Sequence, residues 1–224
     1  MTYTFLIVAL IIAVLDWIAV AKQWTRAGYL TKPGVMLALL VWLWQAGGFN
    51  GHLIWFAAGL LFSLAGDVFL MLPREQFIAG LVSFLLAHLA YLAGFNASLP
   101  PASLASLAVA LLVGLTAGQL YHRLSVAIET SGHKKLKTPV LVYSAVISLM
   151  LVAALLTLVR AEWLAGPALI ASSGALLFFL SDALLAWNRF VTPLPYGRLR
   201  VRITYHLGQA LIMLGAVSHF LLLE

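Results

Sequence analysis

Long apolar runs separated by short polar breaks dominate the chain. About 20 apolar residues in a row cross the hydrocarbon core of a bilayer as a helix. Eight runs predict helices at 3–21, 33–48, 52–72, 77–96, 102–121, 139–159, 164–187 and 201–222. The breaks are Lys22 to Lys32, Gly47 to Gly51, Pro73 to Gln76, Ala97 to Pro101, His122 to Thr138, Arg160 to Glu162 and Asn188 to Arg200. They hold the Gly, Pro and charged residues that interrupt membrane helices. The second run is short and suits a tilted or half-buried helix. No break is long enough for a separate soluble unit, so residues 1–224 read as one integral membrane domain. The expected fold is all-α: a polytopic bundle of about eight transmembrane helices.

Composition sharpens this. The chain is 63% hydrophobic and 9% charged, with a mean hydropathy of +1.05, which excludes a soluble globular domain. It has no cysteine, which excludes disulfides, thiolate catalysis and Cys-based metal sites. The net charge of +6 comes from bases near helix ends, so nucleic acid is not needed to explain it. Ala19-Val20-Ala21 resembles a signal-peptide cleavage site, but no Lys or Arg precedes the first run and Asp16 lies within it. The first run therefore reads as a retained helix.

The bases predict an orientation. Lys22, Arg26, Lys32, Arg74, Arg123, Lys134, Lys135, Lys137, Arg189, Arg198, Arg200 and Arg202 all follow odd-numbered helices, leaving only Arg160 of the 13 on the other face. The positive-inside rule makes the first face cytoplasmic and both termini extracytoplasmic. A bacterial cytoplasmic membrane is the expected setting.

Polar residues inside the runs fall in one layer. Asp16, Asp67 and Asp182 each lie about five residues, or 7–8 Å, from the cytoplasmic end of an inward-running helix. Tyr143, Tyr205 and His206 lie at similar depth on helices running outward, with Lys32 and Asn188 at the edge. His88, Tyr91 and Gln209 lie deeper. Ionisable groups inside a membrane are costly and mark function. Asp67 in Ser63-Leu64-Ala65-Gly66-Asp67 and Asp182 in Phe178-Phe179-Leu180-Ser181-Asp182 read as two centres of one site. A weak internal echo, with Lys32-Pro33 and Thr138-Pro139 opening helices 2 and 6, suggests two parallel four-helix halves.

No Lys or Arg lies in the interior of a predicted helix, although Lys32 could snorkel to a carboxyl. Desolvation then favours the neutral acid, and a neutral carboxyl beside an ionised one suits general acid–base work. The same groups would suit a proton- or cation-coupled transporter. A zinc-dependent lipid hydrolase built on His88, His206 and the two Asp residues is a further alternative, although no standard zinc spacing is present. His88 and Asp16 also have plain structural readings as hydrogen-bonding groups between helices. No cofactor and no metal are expected.

Several stretches together resemble one family. They are Lys32-Pro33, Gly66-Asp67-Val68-Phe69-Leu70-Met71, Phe77 through Tyr91, Pro139-Val140-Leu141-Val142-Tyr143, Gly174 through Asp182, Asn188-Arg189-Phe190, and Tyr205 with Gln209. In order and spacing the chain is similar to the YhhN-like lysoplasmalogenases, multi-pass membrane proteins of bacteria and animals. It departs from the pattern at Gly208, where Ala is expected before Gln209. The resemblance implies hydrolysis of the vinyl ether bond of lysoplasmalogens to a fatty aldehyde and glycerophospho-choline or -ethanolamine. The implied partner is a lysophospholipid within the bilayer. Asp67 and Asp182 would act as acid and base, supported by His206 and Tyr143. Lys32, His88, Tyr91, Asn188, Arg189, Tyr205, Gln209 and Asp16 would bind substrate, with the phosphate near Lys32 and Arg189.

Overall fold

A computed structural model describes residues 2–47, 49–72, 76–98 and 102–222. Those residues form eight α-helices: α1 Thr4–Ala21, α2 Thr25–Gln45, α3 Leu53–Met71, α4 Phe77–Phe95, α5 Leu104–Thr130, α6 Lys137–Leu156, α7 Ala165–Phe190 and α8 Gly197–Leu222. Short 3-10 turns at Lys134–Leu136 and Thr157–Val159 flank α6. Parts of three expected breaks, Gly48, Pro73–Glu75 with Arg74 and Leu99–Pro101, lie outside the described residues. Seven helices, all but α8, are long and apolar enough to cross a membrane. The fold is a polytopic helical membrane bundle.

Two helices run well past their expected bounds. α2 begins at Thr25 and continues through Pro33. A proline removes one intrahelical donor without forbidding the turn around it. The expected break at Lys22 to Lys32 is thus mostly helix, and Lys32 lies inside α2, buried. α5 continues to Thr130 because Leu124 and Ile128, one turn apart, bury against Val140, Ala186 and Phe190. Its middle remains peripheral: only Val113, Leu124 and Ile128 of α5 are buried.

α8 is the least apolar of the long helices because it faces other helices. It packs along α7 and also touches α1, α2 and α3. Tyr205, His206, Gln209, Met213, Ala216 and Val217 are all buried. A helix surrounded by protein needs no apolar surface for lipid. The α7–α8 contact depends on small residues. A Cβ on Gly174 would stand 2.5 Å from the Ile212 nitrogen, and one on Gly208 2.9 Å from the Phe178 nitrogen. Small residues let membrane helices approach backbone to backbone. This close approach is why Gly, not Ala, precedes Gln209 here.

Neighbouring helices pair in matching order. α1 packs on α2, α2 on α3 and α3 on α4; α5 packs on α6, α6 on α7 and α7 on α8. Contacts of α4 with α6, and of α8 with α1 and α3, join the two sets.

Candidate active site

Helical spacing brings polar side chains of four helices around Asp67. Lys32 and Met36 lie one turn apart on α2, Ser63 and Asp67 one turn apart on α3, and Tyr205 and Gln209 one turn apart on α8. Lys32 Nζ is 2.6 Å from Asp67 Oδ1. The Tyr205 hydroxyl donates to Asp67 Oδ2 at 2.8 Å and lies 3.4 Å from Met36 Sδ. One turn deeper, Tyr91 of α4 donates to Gln209 Oε1 at 2.6 Å, and Gln209 Nε2 donates to Ser63 Oγ at 2.9 Å. Asp67 is wholly buried. Of the carboxyls that Lys32 could reach, it meets Asp67, and the early start of α2 carries its ammonium there from inside the helix.

Asp182 has a different shell. The Tyr143 hydroxyl of α6 donates to Asp182 Oδ2. His88 Nε2 of α4 lies 2.9 Å from the Tyr143 oxygen and 3.2 Å from Asp182 Oδ2. The His88 ring is fully buried and packs on Phe178, one turn before Asp182. No Lys or Arg among the described residues forms an ion pair with Asp182. Each carboxylate is therefore met by the preceding helix, α2 or α6, and by the last helix of the other set, α8 or α4.

Asp16 makes a third, separate knot. It is wholly buried, with Arg202 Nη1 of α8 at 2.9 and 3.2 Å from its two oxygens and the Thr31 hydroxyl donating at 2.6 Å. Arg202, which lies inside α8 because that helix begins at Gly197, corrects the reading of helix interiors as free of Arg.

A cavity of about 1080 Å³ opens between the α1–α2 and α7–α8 turns. Lys32, Asp67, Asp182, Asn188, Arg189 and Tyr205 line it, together with Arg198 and Arg202. A narrow apolar cleft of about 60 Å³ runs sideways between α4, α5, α6 and α7, past Tyr143, Ala117, Leu120 and Val140. The two spaces share Leu70, Phe84, Asp182, Leu185 and Arg189.

Other expected site residues lie elsewhere. Tyr91, Gln209 and His88 stand behind the carboxylates and do not line the large cavity. His206 is not brought to either Asp. One residue of helix turns it about 100° from Tyr205, and its Nδ1 accepts from Trp17 Nε1 at 3.2 Å. Asn188 lines the cavity while its Oδ1 accepts from the Leu194 nitrogen at 2.8 Å, fastening the α7–α8 turn. Among the described residues, no three His, Cys, Asp or Glu side chains converge to hold a metal ion.

Residues 27–216 match the YhhN family. The chain belongs to this family. Lysoplasmalogenase TMEM86B of Mus musculus is 34% identical over 205 residues, covering 91% of this chain and 80% of that protein. Lysoplasmalogenase TMEM86A of Homo sapiens is 38% identical over 163 residues, covering 71% of this chain and 64% of that protein. The uncharacterized membrane protein YhhN of Escherichia coli O157:H7 is 29% identical over 168 residues, 71% of each chain. No solved structure matches significantly.

Sequence reasoning about this YhhN-family chain missed Thr31 and Ser63, whose hydroxyls complete the polar shells, and the place of Arg202 among them. The Arg202 signal was present: it precedes Tyr205 and Gln209 by three and seven residues, on one face of α8.

Proposed function

We propose that this YhhN-family chain is an enzyme that hydrolyses the vinyl ether bond of lysoplasmalogens. The products are a fatty aldehyde and glycerophospho-choline or -ethanolamine. The names of its relatives support the reaction class. One observation carries the reading: Asp182 lies where a cavity lined by several cations meets an apolar cleft. In a lysoplasmalogen the vinyl ether lies at the same kind of junction, between the glycerol phosphate and the hydrocarbon tail.

An enol ether is cleaved by protonation of its β-carbon, which gives an oxocarbenium ion. Water adds to that ion, and the resulting hemiacetal breaks into aldehyde and alcohol. In this reading the Asp182 carboxyl, held by Tyr143 and His88, delivers the proton. The Asp67 carboxylate, paired with Lys32 and fixed by Tyr205, stabilises the cation and takes a proton from the attacking water. The paired-carboxylate logic is that of glycoside hydrolysis. Proton transfer alone completes the reaction, so no cofactor or metal takes part. Tyr91, Gln209 and Ser63 hold Tyr205 and α8 in place, and His206 supports the packing of α1 on α8.

The lipid tail lies in the side cleft and the headgroup in the large cavity. By charge distribution that cavity opens to the cytoplasm, with both termini extracytoplasmic and the chain in a bacterial inner membrane. The test is incubation of the purified protein with an alkenyl lysophospholipid and with its saturated ether counterpart, measuring aldehyde. Aldehyde from the first alone is expected. None from either would overturn the reading.

A further inference from the structure

Among the cations lining the large cavity, two are already engaged. Lys32 is paired with Asp67, and the Arg189 guanidinium lies over the Phe77 ring, 3.9 Å from its centre. Arg202 is arranged differently. Its side chain is 18% exposed and lines the cavity, while Asp16, which does not line it, grips one end from behind. Both Asp16 contacts go to a single nitrogen, Nη1. A guanidinium carries five N–H donors in a fixed fork. The Thr31 hydroxyl locks the carboxylate in turn. Arg202 is thus a pre-oriented cation with its remaining donors beside the cavity. It stands one turn from Tyr205, the residue that holds Asp67.

We propose that Arg202, aimed by the buried Asp16–Thr31 pair, is the anchor for the lipid phosphate. Arg202 is then the residue that makes the site select phosphate-bearing lipids over neutral alkenyl glycerols. Asp16 is a positioning residue. A planar fork can serve one anion at each edge, which an ammonium cannot do. The glycerol carbons then span the distance from anchor to carboxylates. The lipid's identity rests on the hydrolase reading; the anchor itself does not.

The experiment measures equilibrium binding of two uncleavable saturated ether lipids, an alkyl glycerophosphocholine and the matching alkyl glycerol. Arg202→Gln would leave Asp16 buried without its cation, so Asp16→Asn/Arg202→Gln is tested alongside it. The preference for the phosphate-bearing lipid should fall about 10- to 100-fold in both, the effect of losing a charge-assisted hydrogen bond. Arg202→Lys should restore part of it, and Asp16→Asn alone should lose less. Equal weakening toward both lipids, or an unmoved preference in the double variant, would overturn the anchor. Glycerol phosphate in solution should compete poorly; competition as strong as the lipid's would overturn its assignment to a lipid. Aldehyde release is followed separately. A wild type that discriminates in binding yet releases no aldehyde removes the hydrolase reading and leaves the anchor standing.

Discussion

Lys32 Nζ stands 2.6 Å from Asp67 Oδ1, with both side chains buried. The ammonium comes from a turn of α2 that precedes Pro33. The pair fixes how α2 and α3 meet and leaves Asp67 with a cation, whereas Asp182 has a histidine and a tyrosine. In the proposed mechanism that asymmetry divides the chemistry between the two carboxyls.

The division predicts unequal partners around Asp182. Asp182→Asn should lower aldehyde release by about 10²–10⁴-fold, the usual loss when a general acid is removed. Tyr143→Phe and His88→Gln should lose less, because each orients the acid without being it. A rate for Asp182→Asn above a tenth of wild type would show that the proton comes from elsewhere.

Stability should respond differently at the ion pair. Removing one partner of a buried pair costs about 3–5 kcal/mol, because the other charge is left unpaired. Lys32→Met and Asp67→Asn should each lower the melting temperature. The double variant should recover most of that loss and stay inactive. A double variant no more stable than the singles would mean that the two charges do not interact.

Chain length should be read by the side cleft. Ala117 lines it beside Leu120 and Val140. Ala117→Phe should raise KM for long alkenyl chains and affect short ones less. Kinetics across a chain-length series checks this. A uniform effect at all lengths would place the tail elsewhere.

The helix contact at Gly174 should be intolerant. A Cβ there meets the backbone at Ile212 and at Gly208. Gly174→Leu should cost at least about 1–3 kcal/mol, the range for overpacked cores. Thermal unfolding in detergent gives the number, and a melting temperature equal to wild type would contradict the backbone approach.

Orientation is open to a direct check. A reporter that works only outside the cytoplasm, fused after Glu224, should be active. Activity of a cytoplasm-only reporter at that position would reverse the proposed topology.

The sequence by itself determined the number and order of the helices, because a bilayer demands long apolar runs and the breaks between them are plainly polar. It also placed Asp67, Asp182, Tyr143 and Tyr205 at one depth, with Lys32 at the edge of that layer, because the helical rise per residue is fixed. Two kinds of feature depended on tertiary contacts. Helix ends shift when neighbours supply packing, as Val140, Ala186 and Phe190 do for the last turns of α5, and α2 passes through a proline that local rules would treat as a stop. Partner choice is not local either. Asp67 reaches Tyr205 across 138 positions of sequence, and Asp182 reaches His88 across 94. Depth brings such groups to one level, but only the rotation of each helix about its axis decides which of them touch. That rotation set His206 on Trp17, Arg202 on Asp16 and Lys32 on Asp67.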